Sequence, residues 1–425
     1  MAFSSDTLVA DIRKYSSERS FKALVDVLQT QEDSLVETDP SVLDTIIECL
    51  SSNAHSLGVL AALNGKLNRE QVAWTNFILQ MRDFITNFST EQIKHSPLTF
   101  CNLIHKFTEQ LCLKKQAREG IPILLLAIDK YSPSPTTLTA IHCDLIQLCL
   151  MAKNLKPALP YLEKEYTTLF TENEQFDVKH VLLFYYYGGM VYTCLHDYLR
   201  ALLFLTVCLT MPTVAVSAIM VAAYKKYCLV SLLKFGKEIS LPKYSSHIVE
   251  RALKPLCGPY IQVAKFYSSG KASSLQSAIV KFQDIFNADG NTGLIQRLSA
   301  RVHRHSVQRL THTFLTVGLA DVSTKLELSS EQEAEKYIRD MIEDGEVHAT
   351  LDQAARMVSF TENPENFDTL DTVRLMDSQL REAISLEKKL GAFDKELAGD
   401  PRYIERVSLM RSGGDEDPLF PDEPL

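Results

Sequence analysis

Apolar residues recur at spacings of three and four along this 425-residue sequence, from the N-terminus to about residue 310. This is the period of an α-helix. The two-residue alternation that marks a β-strand has no convincing example in this part. Pro and Gly interrupt the pattern where helical hairpins would turn, at Asp39-Pro40, Ser132-Pro133, Gly236, Gly270 and Asp289-Gly290. The pattern therefore predicts a mostly α chain built from antiparallel helix pairs.

A degenerate repeat with an irregular offset of about 40 residues supports the helix pairs. Small residues in such a repeat let two helices approach, and large residues fill the groove between pairs. The pattern resembles the tetratricopeptide repeat (TPR) and predicts a right-handed, TPR-like helical-repeat solenoid over residues 1–295. The clearest copy is Tyr185, Gly189, Tyr192 and Ala201, and the weaker copies are Leu145, Cys149, Ala158, Leu162 and Leu111, Gly120, Leu124, Ala127.

Residues 201–224 carry no formal charge and are long enough to cross a bilayer, which takes roughly 20 apolar residues. Pro212 interrupts this run, and a proline inside a helix costs about 3 kcal/mol. The sequence therefore predicts two core helices here and no membrane span.

Composition narrows the function classes. The net charge of −9 favours neither nucleic acid nor anionic lipid as a bulk partner. Nine cysteines without a C-x-x-C pair predict free, mostly buried thiols, including Cys194, in a reducing compartment. Asp6, Asp11 and Lys14 stand where a secretory signal would have its apolar region, so none is expected.

The pattern changes near residue 310. Ser330 and Glu333 form a capping box before an amphipathic helix that Gly345 stops. A two-residue period follows, with a turn at 353–356, and a further short helix is predicted over Val317–Leu328. The order helix, strand, helix, helix, β-hairpin predicts a winged helix over residues 296–362.

The third helix of this winged helix is acidic. Residues 329–345 carry six Asp or Glu and two Lys or Arg, which would repel the phosphates of DNA. The open edge of the hairpin can instead pair with an edge strand of another protein. The predicted interface residues of the hairpin are Val347, Ala349, Leu351, Val358 and Phe360.

A charged helix with an apolar seam is predicted from about Thr369 to Leu397, within a C-terminal helix segment at 363–410. The seam can pack against helices of partner proteins or against the solenoid of its own chain, and the sequence leaves both interpretations open. The acidic, Pro/Gly-rich residues 411–425 are predicted to be disordered. The predicted seam residues are Val373, Met376, Leu380, Ile384, Leu390 and Leu397.

Catalytic patterns are weak. His303 and His305 resemble the H-x-H pair of metal-dependent isopeptidases, but Thr316 stands where that motif has Asp. Two residues apart in a helix, these side chains lie about 200° apart and cannot share a metal, so they are interpreted as solvated surface histidines. No phosphate-binding glycine loop or G-x-S-x-G is present. We expect no catalytic residue, metal site, cofactor or small-molecule substrate.

A helical-repeat array leading into a winged helix resembles the PCI-domain family, whose whole module would cover about residues 195–362. Members are scaffold subunits of the proteasome regulatory-particle lid, the COP-nine signalosome and the translation initiation factor three complex. Within this family, several motifs resemble those of the third subunits of the signalosome. They include "FYYYGGMVYT" (184–193), "YKKYCLVSLLKFGK" (224–237), "LPKYSSHIV" (241–249), "LTHTFLTVGLADV" (310–322) and "EAEKYIRDMIEDGEVHA" (333–349).

The resemblance implies a non-catalytic scaffold in the nucleus and cytoplasm. The signalosome removes a ubiquitin-like modifier from cullins (deneddylation) and so regulates cullin–RING ubiquitin ligases, with its metalloprotease centre in another subunit. Implied partners are other PCI and metalloprotease-domain subunits, joined through winged helices and a bundle of C-terminal helices, and indirectly the cullin–RING ligases. The alternatives are a scaffold of the proteasome lid and a nucleic-acid-binding PCI protein, which the acidic third helix disfavours.

Overall fold

The computed structural model describes residues 5–68, 73–166, 168–169, 178–212, 215–245, 247–328, 330–353, 355–361 and 369–413. The chain divides into two compact units, Met1–Met341 and Ile342–Leu425. The fold is mostly helical with small sheets, as the sequence predicts. The right-handed sense of the solenoid stays a prediction.

The helices up to residue 131 are short to medium in length and are separated by tight turns. Several begin where the sequence places a break, as at Pro40, because proline is well suited to the first turn of a helix. They are α1 (Ser5–Ser17), α2 (Phe21–Thr30), α3 (Glu32–Glu37), α4 (Pro40–Cys49), α5 (Ser56–Leu67), α6 (Trp74–Asn87), α7 (Thr90–Ile93), α8 (Pro97–Leu113) and α9 (Ala117–Tyr131).

The middle of the chain contains one small departure from the helical prediction. Two strands of two residues each, β1 (Thr137–Leu138) and β2 (Thr168–Leu169), pair in parallel with Thr137 opposite Thr168. Strands this short carry no alternating pattern that a sequence could show. The helices are α10 (Ile141–Met151), α11 (Leu159–Leu162) after a 3-10 turn at Lys156–Ala158, α12 (Val178–Cys194), α13 (Tyr198–Thr210) and α14 (Ala218–Phe235).

The remaining elements run through the predicted winged helix and beyond. Their order from α19 to β5, helix, strand, helix, helix, hairpin, confirms the predicted order of elements along the chain. They are α15 (His247–Leu256), α16 (Gly258–Ser269), α17 (Ala272–Lys281), α18 (Gln283–Ala288), α19 (Thr292–Thr311), β3 (Thr316–Gly318), α20 (Leu319–Lys325), α21 (Glu331–Glu343), β4 (Ala349–Asp352), β5 (Met357–Phe360), α22 (Leu370–Gly399) and α23 (Pro401–Gly413).

The α12–α13 pair confirms the clearest repeat. A Cβ on Gly188 would lie 2.6 Å from the ring of Phe204, and one on Gly189 would lie 2.8 Å from Cγ of Leu205. Only glycine therefore lets these two helices come so close. Tyr192 fills the groove beside them, with its ring centroid 5.1 Å from that of Phe204.

The weaker repeat copy at 145–162 is not a full helix pair. Leu145 and Cys149 are buried on α10, but Ala158 and Leu162 fall on the 3-10 turn and on the four-residue α11. Pro157 and Pro160 lie in this stretch, and proline cannot donate the backbone hydrogen bonds that a longer helix needs. The third copy does form a pair, α8 and α9, with Gly120 packed against Leu111.

The uncharged run at 201–224 belongs to two helices of the core, as predicted. α13 ends at Thr210, before Pro212, and Ser217 caps α14 by accepting a hydrogen bond from the Met220 N–H at 3.3 Å. In the part of the chain that the structure describes, no helix combines the length and the apolarity needed to cross a membrane.

A chain of polar contacts in the core ties α14 to α16 and to the N-terminal end of α19. The buried Lys226 Nζ donates to Asn291 Oδ1 at 2.6 Å, and Asn291 Nδ2 donates to Tyr260 Oη at 2.9 Å. Tyr260 in turn donates to Asp289 Oδ2 at 2.7 Å, and Lys225 pairs with the same carboxylate at 2.8 Å. These contacts fix α14, α16 and the N-terminal end of α19 against one another, because buried polar groups must be satisfied.

The cysteines are free in the structure. Five of them are buried, and burial raises the pKa of Cys149 to about 11 and that of Cys208 to about 12, so both remain thiols at neutral pH. Cys194 is exposed, contrary to prediction. It is the last residue of α12, two residues before the left-handed residue His196.

The C-terminal helical segment ends three residues later than predicted. After α22 the chain turns at Asp400, whose Oδ1 accepts a hydrogen bond from the Arg402 N–H at 2.9 Å, and α23 follows. Because α23 extends to Gly413, the predicted disordered tail begins too early at residue 411. Residues 414–425 of that tail lie outside the described residues.

Candidate interaction surfaces

The β4–β5 hairpin offers an open backbone edge. β4 lies at the edge of its sheet and pairs antiparallel with β5, with Thr350 opposite Ser359 and Leu351 opposite Val358. The Thr361 N–H donates to the His348 carbonyl at 2.9 Å. Residue pairs along an antiparallel ladder alternate between hydrogen-bonded and non-hydrogen-bonded. Thr350 therefore hydrogen-bonds to β5, whereas the N–H and C=O groups of Leu351 point away from it. The same alternation turns the backbone of Ala349 outward.

The side chains of the five predicted hairpin residues divide into two groups. Val347, Val358 and Phe360 are buried within the chain itself, so their side chains are not accessible to a partner. Ala349 and Leu351 are half-buried, and they are also the residues whose backbone groups point outward. The hairpin therefore offers backbone hydrogen bonding at two residues and little apolar side-chain area.

The seam on α22 is exposed along its whole length. All six predicted seam residues are between 46% and 65% exposed, and none of the side chains of α22 is buried. A soluble chain rarely leaves so much contiguous apolar surface open without a partner. Packing against other proteins and packing against the solenoid of its own chain, the two interpretations that the sequence left open, both stay predictions.

The apolar face of α22 is wider than the predicted seam. Leu375, Leu386 and Phe393 are also more than half exposed. At 100° per residue they lie beside the seam and widen the apolar face to roughly half of the helix circumference. A two-stranded coiled coil needs only a narrow stripe, so the wider face fits a helix surrounded by several neighbours. Leu375 and Leu386 were missed by the sequence analysis because they fall outside a strict heptad.

The acidic α21 begins with the helix cap that the sequence predicts, and that nucleic acid is not a partner stays a prediction. Ser330 Oγ accepts a hydrogen bond from the Glu333 N–H at 3.2 Å, which confirms the predicted helix cap. Arg339, one of the two cations of the segment, is paired with Glu335 at 2.5 Å. The cation that remains for a phosphate backbone is Lys336.

The two histidines of the H-x-H pattern are packed against aromatic rings. The ring of His305 stacks on Tyr267 with centroids 5.3 Å apart and lies against Gly236, and burial lowers its pKa. His303 contacts the ring of Tyr337 at 5.6 Å. The prediction that both are solvated surface residues is therefore wrong. Within the described ranges, no group of three His, Cys, Asp or Glu residues could hold a metal ion.

One polar cluster inside the solenoid is absent from the sequence-based predictions. Asp144 on α10 is buried and accepts a hydrogen bond from His105 Nδ1 on α8 at 2.9 Å, while the Cys143 Sγ lies 3.6 Å from His180 Nδ1. The hydrogen bond to Asp144 raises the pKa of His105, and burial raises the pKa of Asp144 and of Cys143. Cys143 therefore stays protonated and is no nucleophile. The sequence feature that could have indicated this cluster is the adjacent pair Cys143 and Asp144 on an otherwise apolar helix.

Comparisons with known proteins agree with this architecture. The family model described as "COP9 signalosome complex subunit 3, N-terminal helical repeats" matches residues 18–249, and the PCI domain model matches residues 279–362. A Drosophila melanogaster protein named COP9 signalosome complex subunit 3 is 33% identical over 442 aligned positions, covering all of this chain and 98% of the relative. A protein of the same name from Dictyostelium discoideum is 31% identical, covering 94% of this chain and 96% of the relative.

A family model over more than half of the chain and two relatives of nearly equal length identify the same family. The match to the helical repeats precedes the match to the PCI domain along this chain. The chain therefore belongs to the COP9 signalosome complex subunit 3 family and carries a C-terminal PCI domain.

Proposed function

We propose that this chain is a non-catalytic scaffold subunit that joins other subunits of a COP9 signalosome complex. The observation that carries the proposal is α22, a helix of 30 residues in which no side chain is buried and a broad apolar face is exposed. Such a face is stabilised only when other helices cover it. The names of the relatives support membership of a complex with several subunits, and the partners would be PCI and metalloprotease-domain subunits.

Two contacts would hold the chain in the complex. The outer edge of β4 would receive an edge strand from the winged helix of a neighbouring PCI subunit, through the outward backbone groups of Ala349 and Leu351. The apolar face of α22 would pack in a bundle with the C-terminal helices of several subunits. The first contact supplies directional hydrogen bonds, and the second supplies most of the buried apolar area.

The complex would remove the ubiquitin-like modifier from cullins and so regulate cullin–RING ubiquitin ligases, with the catalytic metalloprotease in another subunit. We propose nucleus and cytoplasm as its location. A scaffold role in the proteasome lid would use the same surfaces, but both relatives carry the signalosome name.

Native mass spectrometry of the complex, purified through an affinity tag on this chain from its own cells, tests the proposal. We expect several different subunits, including a metalloprotease subunit, and cleavage of modified cullin by the purified complex. An assembly of proteasome size would move the protein to the lid. A free monomer would contradict the scaffold role altogether.

A further inference from the structure

A polar cavity of about 180 Å³ lies between the C-terminal ends of α16, α19 and α20. A water molecule occupies about 30 Å³ in the liquid, so the cavity has room for a ligand larger than water. Its polar side chains are Ser269, Ser306, Arg309, Thr313 and Lys325. No Asp or Glu lines it.

The two cations of this cavity have no carboxylate partner among the described residues. Arg309 donates one Nη1 hydrogen bond to the Ser268 carbonyl, which leaves its other donors available. Lys325 Nζ lies 3.8 Å from the ring centroid of Phe314, a contact that positions the ammonium without neutralising it. The nearby Glu327 is engaged elsewhere, because its Oε2 accepts a hydrogen bond from the Ser273 N–H at 2.9 Å.

Two hydroxyls of the cavity are weakly held. Ser306 Oγ lies 3.4 Å from the Gly270 carbonyl, and Thr313 Oγ1 lies 3.2 Å from the Leu310 carbonyl. Both distances exceed the usual 2.5–3.0 Å of an O–H···O bond, so these protons can turn to a stronger acceptor. Ser269 differs, because its Oγ donates to the Phe266 carbonyl at 2.7 Å.

The surrounding sequence is positive within an acidic protein. Residues 290–320 contain four Arg and no Asp or Glu, in a chain whose net charge is −9. Charge of one sign around a concave site concentrates the oppositely charged ligand there. The cavity therefore combines two uncompensated cations, two available hydroxyl donors and a positive surrounding.

We propose that this cavity binds a phosphate monoester carried by a serine or threonine of a protein partner. A phosphorylated side chain brings a charge close to −2 and three strong acceptor oxygens. Those oxygens match a guanidinium, an ammonium and two hydroxyls better than a single carboxylate does. A nucleic-acid backbone fits less well, because the following helix α21 is acidic. The inference is independent of the proposed assembly role.

A peptide-retention experiment on the full-length chain tests this site. The chain is immobilised and exposed to a degenerate peptide library with a central phosphoserine, and separately to the same library with serine. We expect the wild type to retain the phosphorylated library selectively. The amount that R309Q/K325Q retains should be at least about tenfold smaller. A tenfold change corresponds to about 1.4 kcal/mol, and the variant removes two charged hydrogen-bond donors, each of which contributes more than a neutral one.

A matched control separates the site from general surface charge. R118Q/K281Q removes an exposed arginine and an exposed lysine that stacks on Phe282 much as Lys325 stacks on Phe314. This variant should retain phosphopeptides like the wild type. Because Arg309 also braces α16, melting temperatures are compared, and the single variant K325Q, which loses only a surface contact, should show a reduced but measurable loss.

Several outcomes would overturn the proposal. They are equal retention by R309Q/K325Q and R118Q/K281Q, no preference for the phosphorylated library, and displacement of bound peptide by duplex DNA at low salt. Stabilisation by inorganic phosphate at matched ionic strength, without phosphopeptide retention, would assign the cavity to free phosphate and would overturn the protein ligand.

Discussion

At the scale of single residues, the absence of a Cβ at Gly188 decides how closely α12 and α13 approach. We expect Gly188→Ala to lower the free energy of unfolding by about 1–3 kcal/mol, because overpacking a core forces rigid neighbours such as Phe204 to shift. Urea unfolding of the purified chain measures the change.

Gly293→Ala is the matched control for that prediction. Gly293 lies in the first turn of α19, and a Cβ there would meet nothing within 4 Å. This substitution should be neutral or stabilising by up to about 1 kcal/mol, the difference in helix propensity between the two residues. Equal destabilisation by both variants would contradict the close-packing argument.

The His105–Asp144 pair makes stability depend on pH. The pKa of His105 is raised above its ordinary value of 6.5, first through its hydrogen bond to Asp144. A raised folded-state pKa contributes stability that is present below 6.5 and lost as the pH rises through the folded value. The raised pKa of Asp144 acts in the same direction, because its buried carboxylate is disfavoured once ionised.

We expect His105→Gln to reduce this dependence. The test is the urea midpoint of wild type and variant at pH 6 and pH 8. The wild type should lose more stability than the variant between the two values, because only the wild type loses a proton from His105. An equal shift of the urea midpoint in the two proteins would show that the His105–Asp144 pair does not contribute to the pH dependence of stability.

At the scale of elements, the edge of β4 can be blocked without removing the hairpin. Leu351→Pro deletes one N–H that points away from β5, and proline is tolerated on an edge strand at such a position. We expect the variant to keep the hairpin and to bind neighbouring subunits at least about tenfold more weakly, because the proline ring also hinders strand addition. Pull-down of reconstituted subunits measures the binding.

Thr350→Pro is the control for the edge. It deletes an N–H that pairs with Ser359 on β5, so it should disrupt the hairpin itself. Amide hydrogen exchange of β5 distinguishes the two variants. If Leu351→Pro assembles normally, the edge of β4 is not an interface.

The apolar face of α22 makes a second element-scale prediction. Leu380→Asp with Leu390→Asp should leave the melting temperature of the isolated chain unchanged, because both side chains are about 60% exposed. The same pair should weaken assembly by at least about tenfold, since burying an unpaired carboxylate costs several kcal/mol. Ser378→Asp with Ser385→Asp adds the same charge on the opposite face and should assemble normally. A lower melting temperature for the leucine pair alone would mean that the helix packs on its own chain.

At the scale of the whole molecule, the two units should differ in hydrogen exchange. Helices such as α5, α8 and α10 bury large apolar side chains, whereas α22 buries none. We expect the amides of α22 to exchange quickly in the isolated chain and to gain protection in the purified complex, because local stability follows buried contacts. Equal protection in both samples would contradict the bundle.

The sequence predicted the fold class well, because helical periodicity and glycine spacing are local properties. The solenoid pair around Gly189, the helix break before Pro212 and the cap at Ser330 all follow from residues within one or two turns. The prediction of a helix pair at 145–162 was wrong for a local reason as well, because Pro157 and Pro160 prevent the long second helix that the apolar spacing indicates.

The sequence by itself determined that most segments are helical, the order of elements in the predicted winged helix and which helix carries an apolar seam. Only the tertiary structure decided which hairpin side chains are buried, that Asp144 meets His105, and that Arg309 and Lys325 share a cavity. The physical reason is distance along the chain. Periodicity reports on neighbours within a turn or two, whereas burial, ion pairing and cavities depend on residues brought together from different helices.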